Sequence, residues 1–113
     1  MALQAGYDTS AGLVAATRTN LPLTNYTNVA NRRLLVTDIH MDSTDAAGTR
    51  IFLEDITNTT DHHSMFLPAA GSLHRSFIIP IEFANAVQIG LDATQGGGTT
   101  AMSAGWQGRD ESP

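Results

Sequence analysis

Apolar side chains that recur at every second position constrain this chain more than any other feature of its sequence. Successive side chains of a strand point to opposite faces, so a two-residue period marks an extended segment with one face turned to a core. Leu35, Thr37, Ile39 and Met41 alternate in this way with Leu34, Val36, Asp38, His40 and Asp42. A turn-forming cluster follows at Ser43 to Gly48. Ile51 and Leu53 then alternate with Arg50, Phe52 and Glu54, and the two runs are expected to form a hairpin. Between Leu73 and Phe83, the residues Leu73, Arg75, Phe77, Ile79, Ile81 and Phe83 share a face opposite His74, Ser76, Ile78, Pro80 and Glu82. That strand is expected to supply much of the core. Val87, Ile89 and Leu91 repeat the rule, as do Met102, Ala104 and Trp106.

Together these runs imply about six to eight short strands broken by Gly, Asn and Pro turns, the pattern of a sandwich. No long amphipathic helix separates them, which argues against a parallel α/β fold. The expected fold is an all-β antiparallel sandwich, jelly-roll-like or immunoglobulin-like. A length of 113 residues fits one domain, and 42% hydrophobic residues suffice to line its core. Residues 1–31, rich in Ala, Thr and Asn, are read as an extended arm with possible short strands. A short helix over Ala11 to Ala16 capped by Ser10 competes with that reading, and Gly12, Val14 and Thr17 weigh against it. Residues 32–107 form the sandwich and 108–113 a flexible tail.

Nucleophilic catalysis is nearly closed to this chain. There is no Cys, no Lys and no Gly-x-Ser-x-Gly, so the activated nucleophiles have no obvious source. His-Glu-x-x-His and the calcium-hand loop are absent too. His62 and His63, with Asp61 beside them and His40 or His74 near in space, form the best metal candidate. Adjacent strand residues diverge, however, so they are read as solvated or hydrogen-bonded histidines. Asp38, Asp42, Asp45, Glu54 and Asp55 are read as a solvated acidic rim in preference to a cation site. Gly96-Gly97-Gly98 is a flexible turn, because a P-loop needs a lysine and a helix after it. Trp106 could stack on a sugar, but its phase with Met102 and Ala104 favours a core or subunit-contact role. The expectation is no enzyme, no cofactor and no bound metal.

The six basic residues are scattered arginines in a chain of net charge −5, which disfavours nucleic acid as a partner. The longest apolar runs fall far short of the roughly 20 residues that span a bilayer, so no membrane helix is expected. Met1 to Tyr7 lacks the pattern of a secretory signal, so the chain is expected to stay in the cell that makes it or to leave by lysis.

Assembly is the remaining class. Pro80 cannot donate to a ladder, so its strand lies at an edge or bulges there. Soluble monomers guard such edges with lysine, and this chain has none. Leu34, Val36, Phe52 and Ile78 fall on the face read as outer, which suggests contacts with a partner. With Pro80 and Trp106 they are the candidate oligomer or partner contacts. A closed ring such as a trimer is the economical arrangement for identical subunits.

The order of segments carries a resemblance. Arg32-Arg33-Leu34-Leu35-Val36-Thr37-Asp38-Ile39 is followed by Arg50-Ile51-Phe52-Leu53-Glu54-Asp55. Ser76-Phe77-Ile78-Ile79-Pro80-Ile81, Ala86-Val87-Gln88-Ile89-Gly90-Leu91 and Ala101-Met102-Ser103-Ala104-Gly105-Trp106 complete it. Over residues 32–107 this resembles the small β-sandwich capsid decoration, or cement, proteins of tailed bacteriophages. The resemblance implies a structural virion protein, made in the host cytoplasm, that sits as a homotrimer on the outer capsid surface and binds the major capsid protein. A tail-fibre or receptor-binding module recognising host glycans is the alternative. No functional residue is carried over from either.

Overall fold

The computed structural model describes residues 2–10, 18–28, 30–43, 48–68, 71–84, 87–95 and 102–111. Eight strands run in the order β1 (Ala2–Ser10), β2 (Arg18–Thr27), β3 (Arg33–Ser43), β4 (Thr49–Asp55), β5 (Thr60–Leu67), β6 (Gly71–Phe83), β7 (Gln88–Gln95) and β8 (Met102–Glu111). They make two four-stranded sheets, β1-β8-β3-β6 and β2-β7-β4-β5, with every pairing antiparallel. The expected all-β sandwich is therefore present. Its pairs are nested: β4 with β5, β3 with β6, β2 with β7 and β1 with β8. This is one long hairpin rolled over on itself and closed by the β3–β8 and β4–β7 ladders, the jelly-roll arrangement.

The hairpin expected between the runs at Arg33 and Thr49 is corrected: β3 and β4 lie in different sheets. Alternation dictates which face of a strand is apolar but not which strand lies beside it. The true hairpin is β4–β5. Asp55 turns its chain by accepting hydrogen bonds from the Asn58 amide at 3.0 Å and the Asn58 side chain at 2.8 Å. The chain leaves β3 at Ser43 and enters β4 through Gly48, whose φ of 95° suits glycine.

Bulges interrupt four ladders and shift the phase of the alternation. Against β8, Val36 faces Gly108 and Asp38 faces Gln107, so Thr37 is an extra residue on β3. Its hydroxyl lies 2.8 Å from Asp38 Oδ2 and 3.2 Å from the Gln107 carbonyl. Across one extra residue every later side chain changes face. Leu34 and Val36 before the bulge and Ile39 and Met41 after it all reach the core. The inner face read as Leu35, Thr37, Ile39 and Met41 is corrected accordingly. Leu35 is buried outside the core cluster, and Thr37 is half-exposed.

The same irregularity is larger on β6, where Val36 faces Ile81 and Asp38 faces Ser76. Phe77, Ile78, Ile79 and Pro80 thus stand opposite Thr37 alone. β6 is an edge strand, so this excess has open space to bulge into, and the position of Pro80 satisfies both halves of the rule for proline in sheets. Only Phe83 of this strand is buried; Leu73, Phe77 and Ile81 pack partly against the core. The main supply of core side chains is instead β3, β4, β7 and β8, the inner strands of the two sheets. On the edge strand β2, Pro22 to Asn25 likewise stand opposite Gly90 alone.

The segment read as an arm, residues 1–31, supplies an edge strand to each sheet, and β8 continues through Glu111 into the segment read as a tail. The short helix considered at Ala11 to Ala16 lies outside the described residues, as does the Gly96 to Gly98 turn. At the Thr37 bulge the β3 backbone comes so close that a Cβ on Gly108 would collide with the Leu35 carbonyl, whereas one on Gly71 would make ordinary contacts with Leu67 at 3.7 Å and the Pro68 carbonyl at 4.0 Å. Gly108→Ala is expected to lower stability by about 1–3 kcal/mol. Gly71→Ala should stay within about 0.5 kcal/mol of wild type in the same urea titration.

Candidate interaction surfaces

Of the six residues expected to meet a partner, three are interior. Leu34 and Val36 face the core because of the Thr37 bulge, and Trp106 is 1% exposed. The indole Nε1 of Trp106 donates to the Thr24 carbonyl at 2.7 Å, and its ring meets Tyr26 edge-on at 5.9 Å. Gly6 opposite has no room for a Cβ, which would lie 2.6 Å from that nitrogen. Trp106 closes the core beneath the β2 bulge and offers no platform to a sugar. Phe52 is half-buried under the Arg18 guanidinium, 4.1 Å from its ring centroid. Only Ile78 and Pro80 come together, in the β6 bulge.

That bulge is the most apolar exposed feature among the described residues. Ile78 is 101% exposed and its neighbour Ile79 86%, whereas a regular strand with one face packed exposes every second side chain. Ile79 was expected in the core. The hint in the sequence was Pro80, whose missing N–H allows the excursion. Pro22 sits in the β2 bulge in the same manner, beside exposed Leu23.

Histidines from β5 secure the base of the β6 bulge. Leu53 faces His63 and Glu54 faces Asp61, so His62 is an extra residue and the two histidines both reach β6 rings. His62 stacks on Phe83 at 4.3 Å, and His63 meets Phe77 edge-on at 4.9 Å. His63 Nε2 also lies 3.3 Å from Arg75 Nη1. Burial, and secondarily the Arg75 charge, hold the His63 pKa below its ordinary value. On the outer side of β6, Asp38 accepts from Ser76 at 2.6 Å and faces His74 at 3.2 Å. The Ser76 and Thr37 hydrogen bonds keep its carboxyl pKa low. The metal set considered from the sequence is thus dispersed: Asp61 goes to Arg18, His62 and His63 to aromatic rings, His74 to Asp38.

The acidic rim also divides between sheets. On sheet β2-β7-β4-β5, Arg18 Nε donates to Asp92 Oδ2 at 2.8 Å, its two Nη groups donate to the Asp61 carboxylate, and Glu54 lies 3.5 Å away. The Arg18 hydrogen bond holds Asp61 below the usual carboxylate range, while burial, with the neighbouring Asp92, pushes Glu54 up. Asp55 serves the β4–β5 turn, Asp42 is exposed and Asp45 lies outside the described residues. A second arginine, Arg50, stands 5.5 Å over the half-exposed ring of Phe66 on the neighbouring strand. On the other sheet a depression of about 310 Å³ crosses β1, β8 and β3, lined by Gln4, Ala5, Thr37, Gln107, Gly108 and Arg109. Among the described residues no helix is long and apolar enough to cross a membrane.

No protein-family model matches the chain, and no curated protein is significantly similar to it in sequence. Several solved structures share its fold. PirA aligns over 89% of this chain and 92% of its own at 6% identity, with a TM-score of 0.59. A protein of Bacillus endospore appendages, described as a novel family of disulfide-linked pili, aligns over 97% and 88% at 8% identity, with a TM-score of 0.55. A chain of the acidic stable capsid of Helicobacter pylori bacteriophage KHP30 aligns over 100% and 95% at 6% identity, with a TM-score of 0.54. Likenesses at such low identity establish a common fold.

Arg18 links β2 to the three other strands of its sheet, and its loss leaves the buried Asp92 carboxylate without its cation. Arg18→Gln is expected to cost about 1–2 kcal/mol at pH 7, the exposed Asp61 arm adding little because water screens it. Asp61 has a folded pKa below its ordinary 3.8, so its stabilisation is present above that value and lost as pH falls through the folded pKa. The gap between wild type and variant in urea titrations should therefore narrow below pH 4 only by the small Asp61 share.

Proposed function

We propose that this chain is a structural virion protein that decorates and stabilises a phage capsid as a homotrimer bound to the major capsid protein. The observation that carries the reading is the β6 bulge, which lifts Ile78 and Ile79 together out of an edge strand. Exposed edges and contiguous apolar side chains are what an assembly covers. Fully burying two isoleucines contributes about 3–6 kcal/mol. Association costs about 4–15 kcal/mol in lost freedom, so the pair anchors a contact that needs further surface around it.

Other features support this reading. The same fold occurs in a phage capsid and in spore-appendage pili, both of them assemblies. The pili are disulfide-linked, and a chain without cysteine must rely on non-covalent contacts instead. A net charge of −5 suits a place on the outside of a shell better than one against packaged nucleic acid, whose phosphates would repel it. In this reading the protein is made in the host cytoplasm and does no catalysis. Its histidines and carboxylates fasten strands together: His62 and His63 tie β5 to β6, and Asp61 and Asp92 tie β5 and β7 to Arg18.

The test is the double variant Ile78→Asp with Ile79→Asp, examined by light scattering and by binding to capsids stripped of decoration. Both side chains lie in solvent, so monomer stability should change by no more than about 0.5–1 kcal/mol. Wild type is expected to be trimeric and to bind the capsids, and the variant to do neither. A wild-type monomer that ignores capsids, or a variant that binds as well as wild type, would overturn the reading.

A further inference from the structure

We propose that the contact of His63 with Phe77 and Arg75 is an acid-sensitive latch: neutral His63 holds the Ile78–Ile79 bulge in its pose, and protonation releases the β6 edge. As regulation of the assembly surface this rests on the function proposed above, but the latch itself is a property of the isolated chain.

The geometry places His63 at the root of the bulge. Phe77 is the first of the four residues opposite Thr37, and its ring is the one His63 meets edge-on at 4.9 Å. Arg75, two residues earlier on β6, brings Nη1 to 3.3 Å from His63 Nε2. A guanidinium can only donate, so the bond requires an unprotonated Nε2, with the ring proton on Nδ1. A second proton removes that acceptor and sets cation against cation, in a half-buried position that penalises charge. Few other contacts tie β5 to β6, because they are edges of different sheets and share no ladder.

Among the described residues no carboxylate nearby is free to compensate. Asp61 on the same strand is held by Arg18, which also faces Glu54 from β4. Asp38 on β3 is engaged by Thr37, Ser76 and His74. Glu82 on β6 lies 3.6 Å from Arg33. His62 turns to Phe83. Arg75 is the charged group that acts on His63, and both it and burial favour the neutral ring. A histidine whose folded pKa is lowered stabilises fully above its ordinary 6.5 and loses that contribution as pH falls through the folded value. The latch is closed at neutral pH and opens on acidification.

The experiment follows amide hydrogen exchange of the full-length chain at pH 8 and pH 5, corrected for the intrinsic exchange rate. Protection over residues 72–84 is expected to fall severalfold at pH 5, while the β3–β8 ladder keeps its protection. His63→Phe retains a ring against Phe77 but takes no proton, and its β6 protection should be the same at both pH values. Equal protection of wild-type β6 at pH 8 and pH 5, or an equal fall in His63→Phe, overturns the latch. Should that variant not fold, the imidazole of wild-type His63 is titrated by NMR beside Arg75→Gln. The latch requires a pKa below 6.5 in wild type that rises in Arg75→Gln; an ordinary pKa unmoved by the substitution overturns it. Because no capsid is present, these results are independent of whether Ile78→Asp abolishes particle binding, so each proposal fails on its own measurement.

Discussion

The close ladder contact of Gly108 with the bulged β3 at Thr37 is the constraint on which the rest of the structure depends. One strand of the inner ladder must absorb an extra residue there, and it does so because glycine lets the Leu35 carbonyl approach. The consequences reach both neighbours. On β3 the phase switches, so Leu34, Val36, Ile39 and Met41 can all line one core although they do not fit a single alternation. On the far side β6 must span the same irregularity, and it does so with four residues in place of one. A kink in the middle of the sheet thus becomes a protrusion at its edge.

How far the sequence discloses this can be followed residue by residue. The segments from Ile51 to Leu53 and from Val87 to Leu91 contain no inserted residue of their own, and they pack as their period-two pattern implies. Leu34 and Val36 have the same kind of pattern and were assigned to the wrong face, because nothing in the residues around Thr37 marks an insertion; it exists only as a relation to Gly108. Pro80 did announce both an edge and a bulge. Pro22 carried the same message for β2, obscured by the short and polar surroundings of Leu21 and Leu23. Strand neighbours were beyond reach of alternation altogether, since a crossover from β3 to β4 and a hairpin between them leave the same hydrophobic record. The surface residues escaped for a related reason: Ile79 is as apolar as Ile81, and only the bulge separates their environments.

Charge completes the division of labour between the sheets. Arg18 gathers Asp61, Asp92 and Glu54 on one, so Glu54 of the acidic rim and Asp61 of the histidine cluster join Asp92 in holding strands β2, β7, β4 and β5 together. The seam between β5 and β6 is fastened by His62 and His63 on Phe83 and Phe77, a softer join than a ladder. Among the described residues the most exposed apolar side chains lie beside that seam. In a protein proposed to dock onto a shell, rigid core ladders would fix the shape while this flank makes the contact.

Because the chain contains no cysteine, single cysteines can report this arrangement without background labelling. Maleimide labelling of Val36→Cys, Ile78→Cys and Ile79→Cys, free and on particles, tests the central claim that the bulge presents two adjacent side chains for contact. The account predicts a silent position 36, fast labelling at both 78 and 79 in the free protein, and protection of both on particles. Reactivity that alternates between 78 and 79, or labelling undiminished by assembly, would contradict it.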